Sequence, residues 1–198
     1  MSDTSATLSP SPPLTGWMAD VQARLAKRRD LEPVAPGALR RAAVLVPLFV
    51  RDGKLWILFT RRTETVEHHR GQISFPGGGE EPGDANLSET ALRESEEEVG
   101  LARSDAILLG KLSPIATITD FYVEPFVAAI PQPYVFRPQE TEIAELIEVP
   151  VAALLDPRIL EKKQIPGREE PVLFYHHGPN VIWGATARML SELLDALR

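Results

Sequence analysis

The chain contains no cysteine. That absence excludes disulfide frameworks, thiolate-bound zinc, iron–sulfur centres and thiol nucleophiles, so any metal must be held by oxygen or imidazole. Positive charge is also scarce: 21 lysines and arginines against 28 aspartates and glutamates leave a formal net charge of −7 and a pI near 5.2. Such a balance offers no basic stripe for a phosphate backbone and argues against a nucleic-acid binder. Long apolar runs are missing too. The longest, Ala42 to Val50, contains Pro47 and is too short to cross a bilayer, so no membrane partner is expected. The first sixteen residues carry neither Lys nor Arg and no apolar segment of signal-peptide type, and a cytoplasmic location is the expectation. What is present, 43% apolar and 25% charged residues over 198 positions, suits one ordinary globular domain with a core of its own.

Residues 1–14 are small, polar and proline-rich, the composition of a mobile tail. From Trp17 to Lys27, Trp17, Met18, Val21 and Leu25 share one side of a helix and Asp20, Arg24 and Lys27 another. This amphipathic helix is expected to dock on the domain, with contacts to a second copy in a homodimer as the alternative. Residues 1–38 are therefore read as tail plus helix, and residues 39–198 as the folded domain.

Ala42 to Val50, Asp52-Gly53 and Leu55 to Thr60 have the pattern of two strands joined by a tight hairpin. A short segment, Gln72 to Phe75, runs into Pro76-Gly77-Gly78-Gly79, where no regular element easily continues. Leu87 to Val99 holds neither Gly nor Pro and reads as a helix, with Gly100 placed to stop it. Further strands are expected at Ala106–Leu112, Tyr122–Ile130, Glu142–Val149 and Val172–Tyr175, a short helix at Val151–Leu155 and a closing helix at Gly184–Leu197. These elements predict an α/β fold, a sheet covered by helices on both faces.

The most informative segment is Arg93-Glu94-Ser95-Glu96-Glu97-Glu98-Val99-Gly100. At about 100° per residue, Glu94, Glu97 and Glu98 fall on one face of a helix while Glu96 points nearly opposite. Like charges at this spacing cost a few tenths of a kcal/mol, and partial burial would raise their pKa values. A hard divalent ion answers both problems, because Mg²⁺ or Mn²⁺ prefers carboxylate oxygen and bridges readily to phosphate. On an arbitrary helix such a face is simply solvated; here a glycine-rich turn precedes it and an arginine leads into it.

Together these residues resemble the Nudix box, G-x5-E-x7-R-E-U-x-E-E-x-G-U, with U a bulky aliphatic residue. Arg93, Glu94, Glu97, Glu98 and Gly100 match, Leu101 fills one U position, and Ser95 departs from the other. Strict spacing would start at Gly79 and put Ala85 in the first glutamate's place. Starting at Gly78 puts Asp84 there instead, one residue further from Arg93 than the standard form. This expansion resembles the coenzyme A pyrophosphatase branch of the family. A second pattern points the same way: Leu58-Phe59-Thr60-Arg61-Arg62 and Gly71-Gln72-Ile73-Ser74-Phe75-Pro76-Gly77-Gly78 are similar to that branch's signature L-L-T-x-R-[SA]-x3-R-x3-G-x3-F-P-G-G. Glu67 occupies the second arginine's place, with Arg70 three residues on.

The resemblance implies a Nudix-type α/β/α sandwich with a mixed sheet between helices. It also implies hydrolysis of the pyrophosphate bond of coenzyme A or acyl-coenzyme A, a small nucleotide substrate, to phosphopantetheine and adenosine 3′,5′-bisphosphate. The implied cofactor is Mg²⁺ or Mn²⁺, lowering the pKa of a bound water. Glu94 and Glu98 are the expected metal ligands, with Glu97 as a ligand or as the group orienting water, and Arg93 positions a neighbouring glutamate. Arg61, Arg62 and Arg70 suit a polyanionic substrate, and Gly77 and Gly78 let the backbone approach it. A further acid from outside the helix is expected at Glu140 or Glu142, with Glu124 another candidate. His68 and His69 could contact phosphate or ribose. His176 and His177 read as a polar turn, and Trp183 as packing the last helix on the core, with base stacking as its alternative. Two other functions fit the same residues: a broader Nudix pyrophosphatase acting on ADP-ribose, dinucleoside polyphosphates or nucleoside triphosphates, favoured by Glu67, and a nucleotide sensor that does not hydrolyse.

Overall fold

The alternating apolar residues of the first long strand divide the domain into two cores. In the computed structural model, which describes residues 16–27, 37–64, 71–167 and 170–198, β1 runs from Arg40 to Arg51. Its Ala43, Leu45 and Phe49 belong to one buried cluster, and Val46 and Leu48 to the other, as the two-residue period of a strand requires. β2 (Lys54–Arg62) returns from the Asp52-Gly53 turn and pairs antiparallel with β1. β3 (Ile73–Ser74) pairs with the end of β2, and β4 (Gly77–Gly79) lies against Ala42–Val44 of β1.

On one face of this sheet lies α2 (Leu87–Val99), burying Leu87, Ala91, Leu92 and Val99 against Ala43, Leu45 and Phe49. The chain then adds β5 (Ile107–Lys111), β6 (Ile115–Ala116), β7 (Phe121–Ala129) and β8 (Ile143–Pro150). β7 runs parallel to β1 from Arg40↔Phe121 to Leu48↔Ala129, while β8 pairs antiparallel with β2. The sheet is therefore mixed, and among the described residues it has eight strands.

The opposite face carries α1 (Gly16–Lys27) and α4 (Gly184–Leu197). Val21 and Leu25 of α1 are buried beside Leu190, Leu193 and Leu194 of α4. The N-terminal helix is thus docked, each such side chain worth about 1.5–3 kcal/mol of burial. α3 (Val151–Leu154) leads into a second, three-stranded sheet of β9 (Leu160–Lys163), β10 (Val172–His177) and β11 (Asn180–Trp183).

Two expectations are corrected in that small sheet. Trp183 does not pack into the core: it is 43% exposed and stacks on Phe174, its cross-strand neighbour, with ring centroids 6.1 Å apart. Ile182 takes the buried position instead, because alternation along β11 allows only one of the two to face inward. His176 and His177 are not a turn but the last residues of β10, with Gly178-Pro179 turning after them. Among the described residues no helix is long and apolar enough to cross a membrane. The tail of residues 1–14, with Glu67, His68, His69 and Arg70, lies outside the described residues.

Candidate active site

The acidic helix is held at both ends by its own sequence. Asn86 caps the start, its side-chain oxygen accepting from the backbone N–H groups of Ser88 at 2.9 Å and Glu89 at 3.2 Å. Gly100 ends it in the left-handed conformation, φ 71°, donating to Glu96 O at 3.0 Å. Ser95, the departure from an aliphatic residue, is fully buried and its hydroxyl donates to Ala91 O at 2.7 Å, which satisfies the polar group inside the core.

Arg93 organises the face. Its Nε and Nη2 donate to the two oxygens of Asp84 at 3.0 and 3.1 Å, Nη2 also to Gly79 O at 2.9 Å, and Nη1 to Glu94 at 3.0 Å and Glu97 at 3.1 Å. Asp84 additionally accepts from Thr90 Oγ1 and from the Glu81 N–H. The Arg93 guanidinium holds the Asp84 carboxyl well below the usual carboxylate range. Of the two spacings the sequence allowed, the structure uses the one starting at Gly78, because only Asp84 carries the carboxylate that matches a guanidinium fork.

Glu98 is the buried member, its side chain 5% exposed. Its Oε2 accepts from the Gly77 N–H at 3.0 Å and its Oε1 lies 3.4 Å from Arg62 Nη1. Burial pushes its carboxyl up to about 7; the Gly77 and Arg62 contacts oppose that, and the charges of Glu94 and Glu142 add to it. Glu94 is raised from the ordinary value, first by burial and then by Glu97 and Glu142, against the pull of Arg93. Glu97 is the more exposed of the three, and Glu96 points away to pair with Arg103 at 2.9 Å.

The two glycines make room for these carboxylates. A Cβ on Gly77 would fall 2.3 Å from Ala43 O, and one on Gly78 would fall 2.5 Å from the Glu94 carboxyl carbon. At Gly77 only glycine lets β4 lie this close to the β1 backbone, whereas at Gly78 the missing side chain leaves room for the Glu94 carboxylate.

Of the acids outside the helix, Glu142 is brought to the cluster, its Oε2 3.9 Å from Arg62 Nη2. Glu140 is exposed on the adjoining turn, and Glu124 is engaged by Lys111 at 2.6 Å. Arg62 reaches the cluster and retains a buried Nε with no hydrogen-bond partner. Arg61, next along β2, turns the other way to Glu145 at 2.9 Å and to Asn180, so it does not join Arg62.

The sequence reading missed a strap over the helix end. The Arg137 N–H donates to Val99 O at 2.9 Å, the Gln139 N–H to Glu98 O at 2.8 Å, and the Ala102 N–H to the Tyr134 hydroxyl at 2.9 Å. Gln139 O in turn accepts from the N–H groups of Glu142 and Ile143. This links Glu98 to Glu142 through the backbone. The signal for it was weak, a run with Pro131, Pro133 and Pro138 and no periodicity.

Among the described residues no three carboxylate or imidazole groups are already gathered for a metal ion; Arg93 stands between Glu94 and Glu97, and Arg62 beside Glu98. The donor set nevertheless fits a hard divalent cation: all-oxygen, on flexible side chains, with a buried carboxylate whose charge is under-compensated.

Comparison with known proteins agrees with this geometry. The Nudix domain profile matches residues 39–170. NudL of Photorhabdus laumondii, described as an uncharacterized Nudix hydrolase, is 35% identical over 161 residues, covering 80% of this chain and 86% of that protein. NudL of Yersinia pestis is 36% identical over 156 residues, covering 78% of each. A MutT/nudix family protein from Enterococcus faecalis shares the fold, with a TM-score of 0.53 at 14% identity over 86% of this chain and 64% of that one. On the matched profile and these relatives, the chain belongs to the Nudix hydrolase family, pyrophosphohydrolases acting on phosphoanhydride bonds.

Proposed function

We propose that the protein hydrolyses the pyrophosphate bond of coenzyme A or an acyl-coenzyme A in a reaction dependent on Mg²⁺ or Mn²⁺. The observation that carries the reading is the meeting of Arg62, from the segment similar to the coenzyme A pyrophosphatase signature, with Glu98 of the acidic helix. Glu94, Glu97 and Glu98 would hold the metal, which when bound neutralises phosphate charge and makes hydroxide available near neutral pH.

The chain's own residues do the rest. Arg93 positions Glu94 and Glu97, since one guanidinium nitrogen serves both. The Nη atoms of Arg62 face the same acids, Glu98 and Glu142, and a guanidinium there suits a phosphate oxygen. Attack by water forms a new P–O bond and breaks the bridging one, whose electrons leave on the departing phosphate. The water's proton goes to a carboxylate, for which Glu142 is placed beside Arg62 and outside the helix.

The test is product analysis with coenzyme A, ADP-ribose and a dinucleoside polyphosphate, each with Mg²⁺, Mn²⁺ or chelator. Metal-dependent release of adenosine 3′,5′-bisphosphate, preferentially from coenzyme A, is expected. Cleavage mainly of the other compounds would move the substrate, and no cleavage of any would favour a sensor.

A further inference from the structure

Arg137 is, among the described residues, the arginine that the fold leaves without a partner. The other described arginines each meet a carboxylate, or in the case of Arg40 the ring of Phe121. Arg137 is exposed, yet its backbone is fixed on the end of α2 by its N–H bond to Val99 O. The fit is close: a Cβ on Gly100 would fall 2.9 Å from the Arg137 Cβ. Two residues on, Gln139 is tied to Glu98.

A free cation is therefore fixed by its backbone beside the helix end that carries Glu97 and Glu98. That end is hostile to anions, because it combines the negative pole of the helix with the exposed carboxylate of Glu97 and the buried one of Glu98. A substrate whose pyrophosphate lies at Glu94 and Glu98, and which bears another phosphate, would be repelled there without a cation of its own. Arg93 is committed to Asp84, Glu94 and Glu97, and Arg62 faces Glu98 and Glu142. Neither is available for a second phosphate.

We propose that Arg137 is a specificity residue that reads a phosphomonoester on the nucleoside side of the scissile pyrophosphate. In coenzyme A this is the 3′-phosphate, and the proposal rests on the coenzyme A reading above. A merely structural role, a cation at a helix C-terminus, would alter stability and affect every substrate alike.

The experiment compares coenzyme A with its 3′-dephospho form in the wild-type protein, Arg137→Ala and Arg137→Lys, with thermal melts of each. Arg137→Ala should raise KM for coenzyme A about tenfold, a loss of one charge-assisted contact, with kcat within about twofold. It should leave dephospho-coenzyme A unchanged, and Arg137→Lys should recover part of the loss. Equal effects on both substrates, or no effect on either, would overturn the assignment while leaving the coenzyme A reading intact. Failure of the wild-type protein to cleave either compound would overturn the coenzyme A reading and the role of Arg137 with it.

Discussion

Asp84 and Arg93, nine residues apart, close a two-pronged ion pair across the mouth of the glycine turn, at 3.0 and 3.1 Å. The pair fixes the loop that precedes α2 and aims the remaining nitrogen of Arg93 at Glu94 and Glu97. Asp84→Asn removes the charge and turns one accepting oxygen into a donor facing donors. It should cost about 2 kcal/mol at neutral pH, read as a shift in the urea midpoint without a change in slope.

The same pair sets a pH dependence. Asp84 is held below its ordinary value of 3.8 by Arg93, so at low pH the unfolded chain binds more protons than the native one and stability rises with pH. The contribution is fully present above about pH 5 and is lost as pH falls below the ordinary value toward the depressed one. The stability gap between wild type and Asp84→Asn should therefore be widest near pH 7 and narrow below about pH 4. A gap independent of pH would show that the loss is one of packing rather than charge.

Gly77 and Gly78 should separate stability from activity. The methyl of Gly77→Ala meets backbone, at Ala43 O and Val44 Cα, and strand β4 must move, so a loss of a few kcal/mol is expected, in the range for overpacking. The methyl of Gly78→Ala meets only the end of the Glu94 side chain, which can swing aside. That variant should melt within about 1 kcal/mol of wild type and yet lose roughly a hundredfold in turnover, the scale of a small misplacement at a reacting centre. Paired melts and rates on the two variants decide it.

Glu98→Gln and Glu96→Gln test the helical face. Glu98 is buried among carboxylates and Glu96 is paired with Arg103 on the far side. Glu98→Gln should reduce turnover by roughly 10²–10³-fold without loss of folding stability, because it removes a buried charge while keeping an oxygen to accept from Gly77. Glu96→Gln should stay within about twofold in rate. Equal losses would contradict the division of the helix into a working and a solvent face.

Much of this was legible in the chain. α2 and α4 have the limits that Gly, Pro and periodicity set, and the face shared by Glu94, Glu97 and Glu98 follows from the helical repeat. The spacing ambiguity at Ala85 and Asp84 was not, because which residue reaches Arg93 depends on how the loop folds. β4 was hidden since three glycines carry no strand propensity; it exists because it pairs with Ala42–Val44. Arg61 and Arg62 look equivalent in sequence, but neighbouring residues of a strand face opposite ways, and only Arg62 meets the acids. The strap of residues 134–139 is set by tertiary hydrogen bonds that no local pattern announces.

The acid outside the helix is tested by Glu142 against Glu140. Both precede β8, and no local pattern distinguishes them. The strap does: Gln139, tied to Glu98, accepts the Glu142 N–H and the Thr63 N–H anchors Glu142 O at 2.8 Å, so the Glu142 backbone is held at the cluster while Glu140 stays on an exposed turn. If Glu142 accepts the proton of the attacking water, Glu142→Gln should lower kcat by roughly 10²-fold or more with little change in KM. Glu140→Gln should leave both within about twofold. Loss at Glu140 alone would require the turn to close over the substrate, and would place the proton acceptor on the strap rather than at the start of the strand.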